Sequence, residues 1–358
     1  MRPESLEFFK KLVEAPSPSG YEQPAARVMR EQLEPIADEV TTNVIGSVHA
    51  LLRGTDAERD GRRVSVMLAG HIDEIGMMVT YITAEGFIAF KPIGGVDEAV
   101  LPGMRVRVHT REGALLGILG RLPIHLLEDD ERKSVTKVHK LFIDLGMSAE
   151  RVKEEVRVGD AITFDVGFEH FGEGMVVSRA FDDKMGAFIC AETLRVVRER
   201  GGSKVDLVVA GTVQEEIGLR GGITSAYGVD PTVGVAVEVG HATDYPDVDK
   251  RKHGEAACGK GPILARGANI NPTVFRLLCE AADAAGVAHQ FDGEPRGTGT
   301  DANAIQLSRG GKAAALVSVP LRYMHTPVEA LALSDVEAAV ELLAEFVMRL
   351  DPDTDYTP

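Results

Sequence analysis

Two adjacent glutamates, Glu215 and Glu216, follow the apolar run VDLVVAGTV, and no other dipeptide in the chain carries as much chemistry. Neighbouring carboxylates at the end of a buried strand repel one another and cost stability. A cation relieves that cost for one of them. The other can then take a proton from a water molecule whose pKa the cation has lowered. This division predicts Glu216 as a metal ligand and Glu215 as a general base. His71 and Asp73 follow VSVMLA, Glu238 closes VGVAV, and His325 follows AAALVSVPLRYM. Asp182 and Asp183 open a helical stretch after MVVSRAF. Two imidazoles with several carboxylates and no thiolate suit zinc or a similar divalent ion. A pair of ions ~3.5–4 Å apart needs a shared carboxylate. Asp182, between the other ligands in chain order, is the natural bridge. Asp73, two residues beyond His71, can fix the imidazole tautomer or steady Asp182 and the metal pair.

Each residue also has a plain structural reading. A lone histidine at a strand end is more often solvated or satisfied than ligating. Asp182 could cap a helix and complement its dipole, a duty assigned here to Asp183. Glu215 and Glu216 could form an exposed acidic turn. What favours chemistry is agreement: several apolar strands deliver acids or histidines to one edge, and parallel α/β sheets bind ligands at the carboxyl ends of their strands. Asp244 is a weaker alternative to Glu238. His49, His109, His125, His139, His170, His253 and His289 fall outside the set, and His241 stands near Glu238 without a role. The stretch GTGTD (297–301) lacks the lysine and the spacing of a phosphate loop and is a candidate for substrate contact.

The elements that must position these residues follow from periodicity. An amphipathic helix opens the chain, with Leu6, Phe9, Leu12 and Val13 on one face. A loop at 16–20 leads to a second helix over 23–33. Strands are expected at 47–52, 64–69, 205–210, 233–237 and 313–319, and helices at 184–199, 272–285 and 334–350. Ser334 and Glu337 have the spacing of a capping box. Between 76 and 167 the texture changes to short β-like runs broken by glycines, the pattern of a small barrel or sandwich. The predicted fold is α/β: a mostly parallel sheet with helices on both faces, plus an inserted β-rich, barrel-like domain. The boundaries are 1–75 with 168–358 for the discontinuous main domain, and 76–167 for the insert.

Composition excludes several functions. The 358 residues are 44% hydrophobic and 26% charged, with a formal net charge of -16. Such a chain repels phosphate backbones, so nucleic acid is not an expected partner. Aromatic residues make up 5% with no tryptophan, which argues against a stacking platform. The basic run Lys250-Arg251-Lys252 reads as a solvated loop. No apolar stretch is long enough for a membrane span, and the three cysteines form no C-x-x-C pair, so a cytoplasmic location is expected.

Four motifs make a family resemblance specific: GHIDEIG (70–76), FDDK (181–184), VQEEIG (213–218) and RYMHTPVE (322–329). In order and spacing they resemble the M42 metallo-aminopeptidases, which include glutamyl and tetrahedral (TET) aminopeptidases, and GRLPIHL (120–126) is similar to that family's inserted domain. The resemblance implies a zinc-peptidase α/β domain with an inserted dimerisation domain. It implies two divalent ions per subunit, zinc first and cobalt as the alternative. It also implies that His71, Asp182, Glu216, Glu238 and His325 are the ligands and Glu215 the base. The implied partners are peptide substrates and further copies of the chain, as dimers or a hollow dodecamer. One departure stands out: the family commonly has Asp at the position of Glu238, so the ligand arc is one methylene longer here. Two other readings are a related two-metal deacylase or carboxypeptidase and a non-catalytic metal-bound assembly protein.

Overall fold

The computed structural model describes residues 1–358. Its frame is an eight-stranded sheet. The four central strands, in spatial order Asp206–Thr212, Ser65–His71, Val233–His241 and Ala313–Leu321, are mutually parallel. They read as near-continuous apolar runs because both of their faces are covered, and every residue of Ser65–His71, Asp206–Thr212 and Ala313–Leu321 is buried. Antiparallel pairing appears toward the margins: Val48–Leu52 against Asp206–Thr212 with Glu39–Thr42 outside it, and Ile263–Gly267 against Ala313–Leu321, outside which Gln290–Glu294 pairs in parallel with Ile263–Gly267.

Gly70 and Gly234 show that helices cover both faces. Gly70 lies against the backbone of Gly186 and Ala187, in the helix Phe181–Glu199. Gly234 lies against Ile305, in the helix Asp301–Gln306. Gly234 is in register with Met67, an odd number of residues from Gly70, so the two glycines face opposite sides of the sheet. Helices Pro3–Glu14 and Leu333–Arg349 pack on Phe181–Glu199, and Pro272–Ala285 packs on Leu333–Arg349. Arg220–Val229 joins Asp301–Gln306 on the other side.

The β-like runs between 76 and 167 close into a six-stranded barrel, with strands between Gly76 and Phe164. Met77, Val79, Ile88, Phe90, Val106, Val108, Ile143, Ile162 and others form an apolar cluster separate from the larger one around the sheet. No helix in the molecule is long and apolar enough to cross a membrane.

Most expected elements appear within a few residues. The helix at 272–285 matches its expected ends, with Asn271 accepting the N–H groups of Thr273 and Val274 as its cap. The capping box at Ser334 does not form. The last helix starts at Leu333, one residue earlier, and its cap residue Ala332 has no side chain able to accept a hydrogen bond from the first turn. Asp335, in the first turn of that helix, instead accepts the N–H groups of Gly259 and Gly261 at 2.6 and 2.8 Å. A tertiary contact that satisfies two loop amides wins over a local one. The helices Arg220–Val229 and Asp301–Gln306 and the strands Ile263–Gly267 and Gln290–Glu294 are additions to the expected set.

Candidate active site

The parallel strands end along one edge, and the predicted residues meet there. His71 is the last residue of its strand, Glu238 lies inside Val233–His241, and Glu215 and Glu216 follow Asp206–Thr212 by a few residues. Asp182 sits between them. Its Oδ1 lies 3.2 Å from His71 Nε2 and its Oδ2 3.4 Å from His325 Nε2. One carboxylate thus faces two imidazoles, one with each oxygen. Glu238 Oε2 and Glu215 Oε2 each lie 3.7 Å from His71 Nε2, and Glu216 Oε2 lies 3.6 Å from His325 Nε2. Ligand-type atoms of His71, Asp182 and Glu216 are close enough to share an ion, and so are those of His71, Glu215 and Glu238. The cluster is buried apart from His325, Glu215 and Glu216, which are partly open.

The imidazoles are aimed by main-chain carbonyls. His71 Nδ1 lies 3.1 Å from the carbonyl oxygen of Asp73, nearer than the Asp73 carboxylate at 3.5 Å. His325 Nδ1 lies 3.0 Å from the carbonyl oxygen of Gly95, in the loop after the barrel strand Ile88–Ile93. A ring that donates from Nδ1 leaves Nε2 free to ligate. Gly95 is the residue the approach requires: a Cβ there would stand 2.8 Å from His325 Nδ1.

Acids just outside the cluster hold the main chain of those inside it. Asp73 accepts the N–H groups of Glu215 and Glu216 at 3.0 and 3.2 Å, and the hydroxyl of Ser19 at 2.6 Å. Glu22 accepts Gln214 N–H at 3.2 Å. Asp183 accepts His71 N–H at 3.1 Å and Gly186 N–H at 3.3 Å, so it caps the helix as expected while also fixing a strand end. Glu329 accepts Asp182 N–H and His325 N–H, each at 3.1 Å. Asp301 N–H points at Glu238 Oε1 at 3.5 Å, and the Asp301 side chain accepts the Thr212 hydroxyl at 2.6 Å.

Sequence reasoning missed the roles of Ser19, Glu22, Gly95, Asp301 and Glu329. Glu329 was within reach, as part of the motif around His325. Asp301 closes the GTGTD stretch already singled out for substrate contact, though not for this role; Ser19, Glu22 and Gly95 are distant in sequence and carried no signal. GTGTD proves to be the entry to a short helix capped by Thr300. Asp244 lies outside the cluster and pairs with Arg322 through two contacts at 2.7 and 2.8 Å. His241 is exposed and joins no group.

The electrostatics fit bound cations. Burial pushes the Glu216 carboxyl up to about 8, and the neighbouring Asp182 adds to it. Burial pushes Glu215 up to about 7, with Asp301 and Asp73 adding to it against the pull of His71. Glu238 and Glu329 are also driven upward by burial first and by nearby carboxylates second. Contact with Asp182 holds His325 up at about 9. Against burial, the Glu215 and Glu238 carboxylates keep His71 well above its ordinary value. Like charges ~4 Å apart oppose one another by ~4 kcal/mol at an effective dielectric constant of about 20. That exceeds the ~1 kcal/mol net gain of an ordinary hydrogen bond. Glu216 Oε1 is buried with no hydrogen-bond partner, which suits a metal-ligating oxygen. The donor set of imidazole nitrogens and carboxylate oxygens suits zinc or cobalt.

A mostly parallel sheet that gathers two histidines and a shell of buried acids at its carboxyl edge defines a class: α/β enzymes built to hold divalent ions there. Comparison with known proteins makes it particular. The family model described as M42 glutamyl aminopeptidase matches residues 46–342. The chain is 34% identical over 356 residues to the lysyl aminopeptidase of Pyrococcus furiosus, covering 98% of this chain and 99% of that protein. It is similar in structure to the TET aminopeptidase of the marine sediment archaeon Thaumarchaeota archaeon SCGC AB-539-E09, with a TM-score of 0.91, 36% identity and 97% of each chain covered. It is also similar to the TET1 peptidase of Pyrococcus horikoshii, which is described as assembling into a tetrahedron or a large octahedral shell; there the TM-score is 0.83 and the identity 29%, with 97% of this chain and 100% of that one covered. The chain belongs to the M42 family and is an aminopeptidase, a hydrolase.

Proposed function

We propose that this aminopeptidase removes N-terminal residues from peptides with two divalent ions held by His71, Asp182, Glu216, Glu238 and His325, zinc first and cobalt as the alternative. The observation that carries the reading is the orientation of Asp182, with one oxygen toward each histidine. His71, Glu238 and Asp182 would hold one ion, and His325, Glu216 and Asp182 the other. When bound, the ions would polarise the scissile carbonyl, acidify a water molecule and anchor the free amine of the substrate.

The chain's own residues supply the rest. Glu215 is the general base. Distance alone puts its Oε2 as near His71 as that of Glu238, but the unpartnered Oε1 and the His325 contact mark Glu216 as the ligand of the pair. A carboxylate beside the attacking water can take its proton and return it to the leaving amine, and Glu215 Oε2 stands within the cluster, 3.7 Å from His71 Nε2. Asp73 accepts the N–H groups of both glutamates and so fixes the main chain from which base and ligand project.

The same reading makes the barrel, within an insert at 76–167, the dimerisation domain. It makes the assembly a homo-oligomer of dimers, as large as a dodecamer, in line with the shells described for the Pyrococcus horikoshii peptidase. A cytoplasmic location accords with Cys190, Cys258 and Cys279 standing as free thiols.

A panel of aminoacyl-p-nitroanilides and of free and N-acetylated peptides tests the function, after chelation and after readdition of zinc or cobalt. Hydrolysis confined to free-amine substrates, lost on chelation and restored by metal, is the expected result. Turnover that survives complete metal depletion sinks the two-metal reading. Cleavage of N-acetylated peptides at equal rate points to a deacylase or carboxypeptidase relative.

A further inference from the structure

Glu329 touches no reacting atom, yet it contacts the main chain of residues assigned to both ions. It stands in the strand Glu329–Ala332, which pairs with Met175–Ser178, the strand leading into Asp182. It is 2% exposed. Its Oε2 accepts Asp182 N–H at 3.1 Å, and its Oε1 accepts His325 N–H at 3.1 Å. His325 lies in a turn with φ of 60°, outside any strand, so no sheet ladder holds it. Its ring is held at Nδ1 by the barrel loop at Gly95, and its Nε2 faces Asp182 and Glu216. The carboxylate is therefore the link between the bridging residue and the histidine of one ion. His71 is fixed independently, as a strand residue whose N–H goes to Asp183.

We propose that Glu329 is a positioning residue that holds Asp182 and His325 at the spacing required by the ion they share with Glu216. The proposal rests on the two-ion reading above. A main-chain N–H can only donate, so both Glu329 oxygens must accept. Glutamine cannot replace it: its carbonyl accepts one N–H, while its NH2 group meets the other donor head-on. The cost falls unequally. The ion at His325 loses the fixed main-chain position of a ligand that lies outside any strand and whose ring alone is held, at Gly95. The ion at His71 retains His71 and Glu238, each set by the central sheet.

The test is cobalt titration of metal-free protein, followed by visible absorption and by elemental analysis after dialysis. The variants are Glu329→Gln, Glu329→Asp and, as a control on the same loop, the exposed Val328→Ala. Wild type and Val328→Ala should take up two ions per chain. Glu329→Gln should retain one and bind the second about 10–100-fold more weakly, the range typical for loss of a group that orients a ligand. Glu329→Asp, whose shorter arm cannot reach both amides, should shift in the same direction and serves if the glutamine variant does not fold. Equal weakening of both ions, or wild-type binding of both in the glutamine or aspartate variant, overturns the proposal. A wild-type chain that binds fewer than two ions instead overturns the two-ion reading on which the proposal stands.

Discussion

Glu215 and Glu216 share a peptide bond and meet different partners, and that divergence is the chemical core of the site. Glu216 reaches toward His325, while Glu215 reaches toward His71. Glu215→Gln should leave metal content unchanged and lower kcat by about 10²–10⁴-fold, the usual worth of a positioned general base. Steady-state kinetics beside elemental analysis reads both, and a near-wild-type kcat removes Glu215 from the base role. The raised carboxyls also dictate how metal uptake depends on pH. Glu216 at about 8 and His325 at about 9 hold protons at neutral pH in the metal-free chain. A cation must displace them, because only the deprotonated forms ligate. Binding should therefore release protons at pH 7, and apparent affinity should rise from about pH 6 to about pH 9 before levelling. Calorimetry in two buffers of different ionisation enthalpy measures this directly, and uptake without proton release contradicts it.

At the scale of elements, the site is assembled by connections that secondary structure alone would not reveal. The loop following the first helix lies behind the Glu215–Glu216 turn, through Ser19 on Asp73 and Glu22 on Gln214. It is held by the fully buried Lys184, whose ammonium reaches the carbonyls of Val13 and Ala15 and the carboxylate of Glu74. The same loop touches the barrel, where the Tyr21 hydroxyl donates to the Gly159 carbonyl. The last helix shows the same preference for tertiary over local contacts. Ser334→Ala should change stability by less than about 0.5 kcal/mol, as a substitution away from any specific contact does. Asp335→Ala should cost on the order of 1–3 kcal/mol by stranding two loop amides. Urea denaturation of both variants decides between these contacts. A larger loss at Ser334 would restore the capping box.

The whole molecule joins a sheet that carries most of the proposed ligands to a barrel that aims one of them, His325. Gly95 belongs to the barrel side and orients His325, so the insert is part of the site's construction as well as a candidate surface for assembly. Light scattering should give a mass that is a multiple of the single chain's 38.4 kDa, with the dimer as the smallest unit. A monomer at micromolar concentration counts against the assembly proposed for it.

The sequence by itself singled out the candidate residues and the elements that carry them. Apolar runs with period and length suited to buried strands placed His71, Glu238 and the Glu215–Glu216 pair, because a buried strand must be apolar throughout and a buried acid at its end needs a reason. The switch to short glycine-broken runs marked the barrel for the same reason. The tertiary structure alone decided how those residues are held. Asp73 lies just beyond the strand end, so its side chain turns to amides 142 and 143 residues away. Its main-chain carbonyl, nearer than its carboxylate, then serves His71. The places of Glu22, Gly95, Asp301 and Glu329 likewise follow from contacts between segments far apart in the chain, or from an amide partner that no spacing encodes. A main-chain N–H has the same chemistry at every residue but proline, so sequence cannot say which acid will find it. Only the packed fold brings the two together.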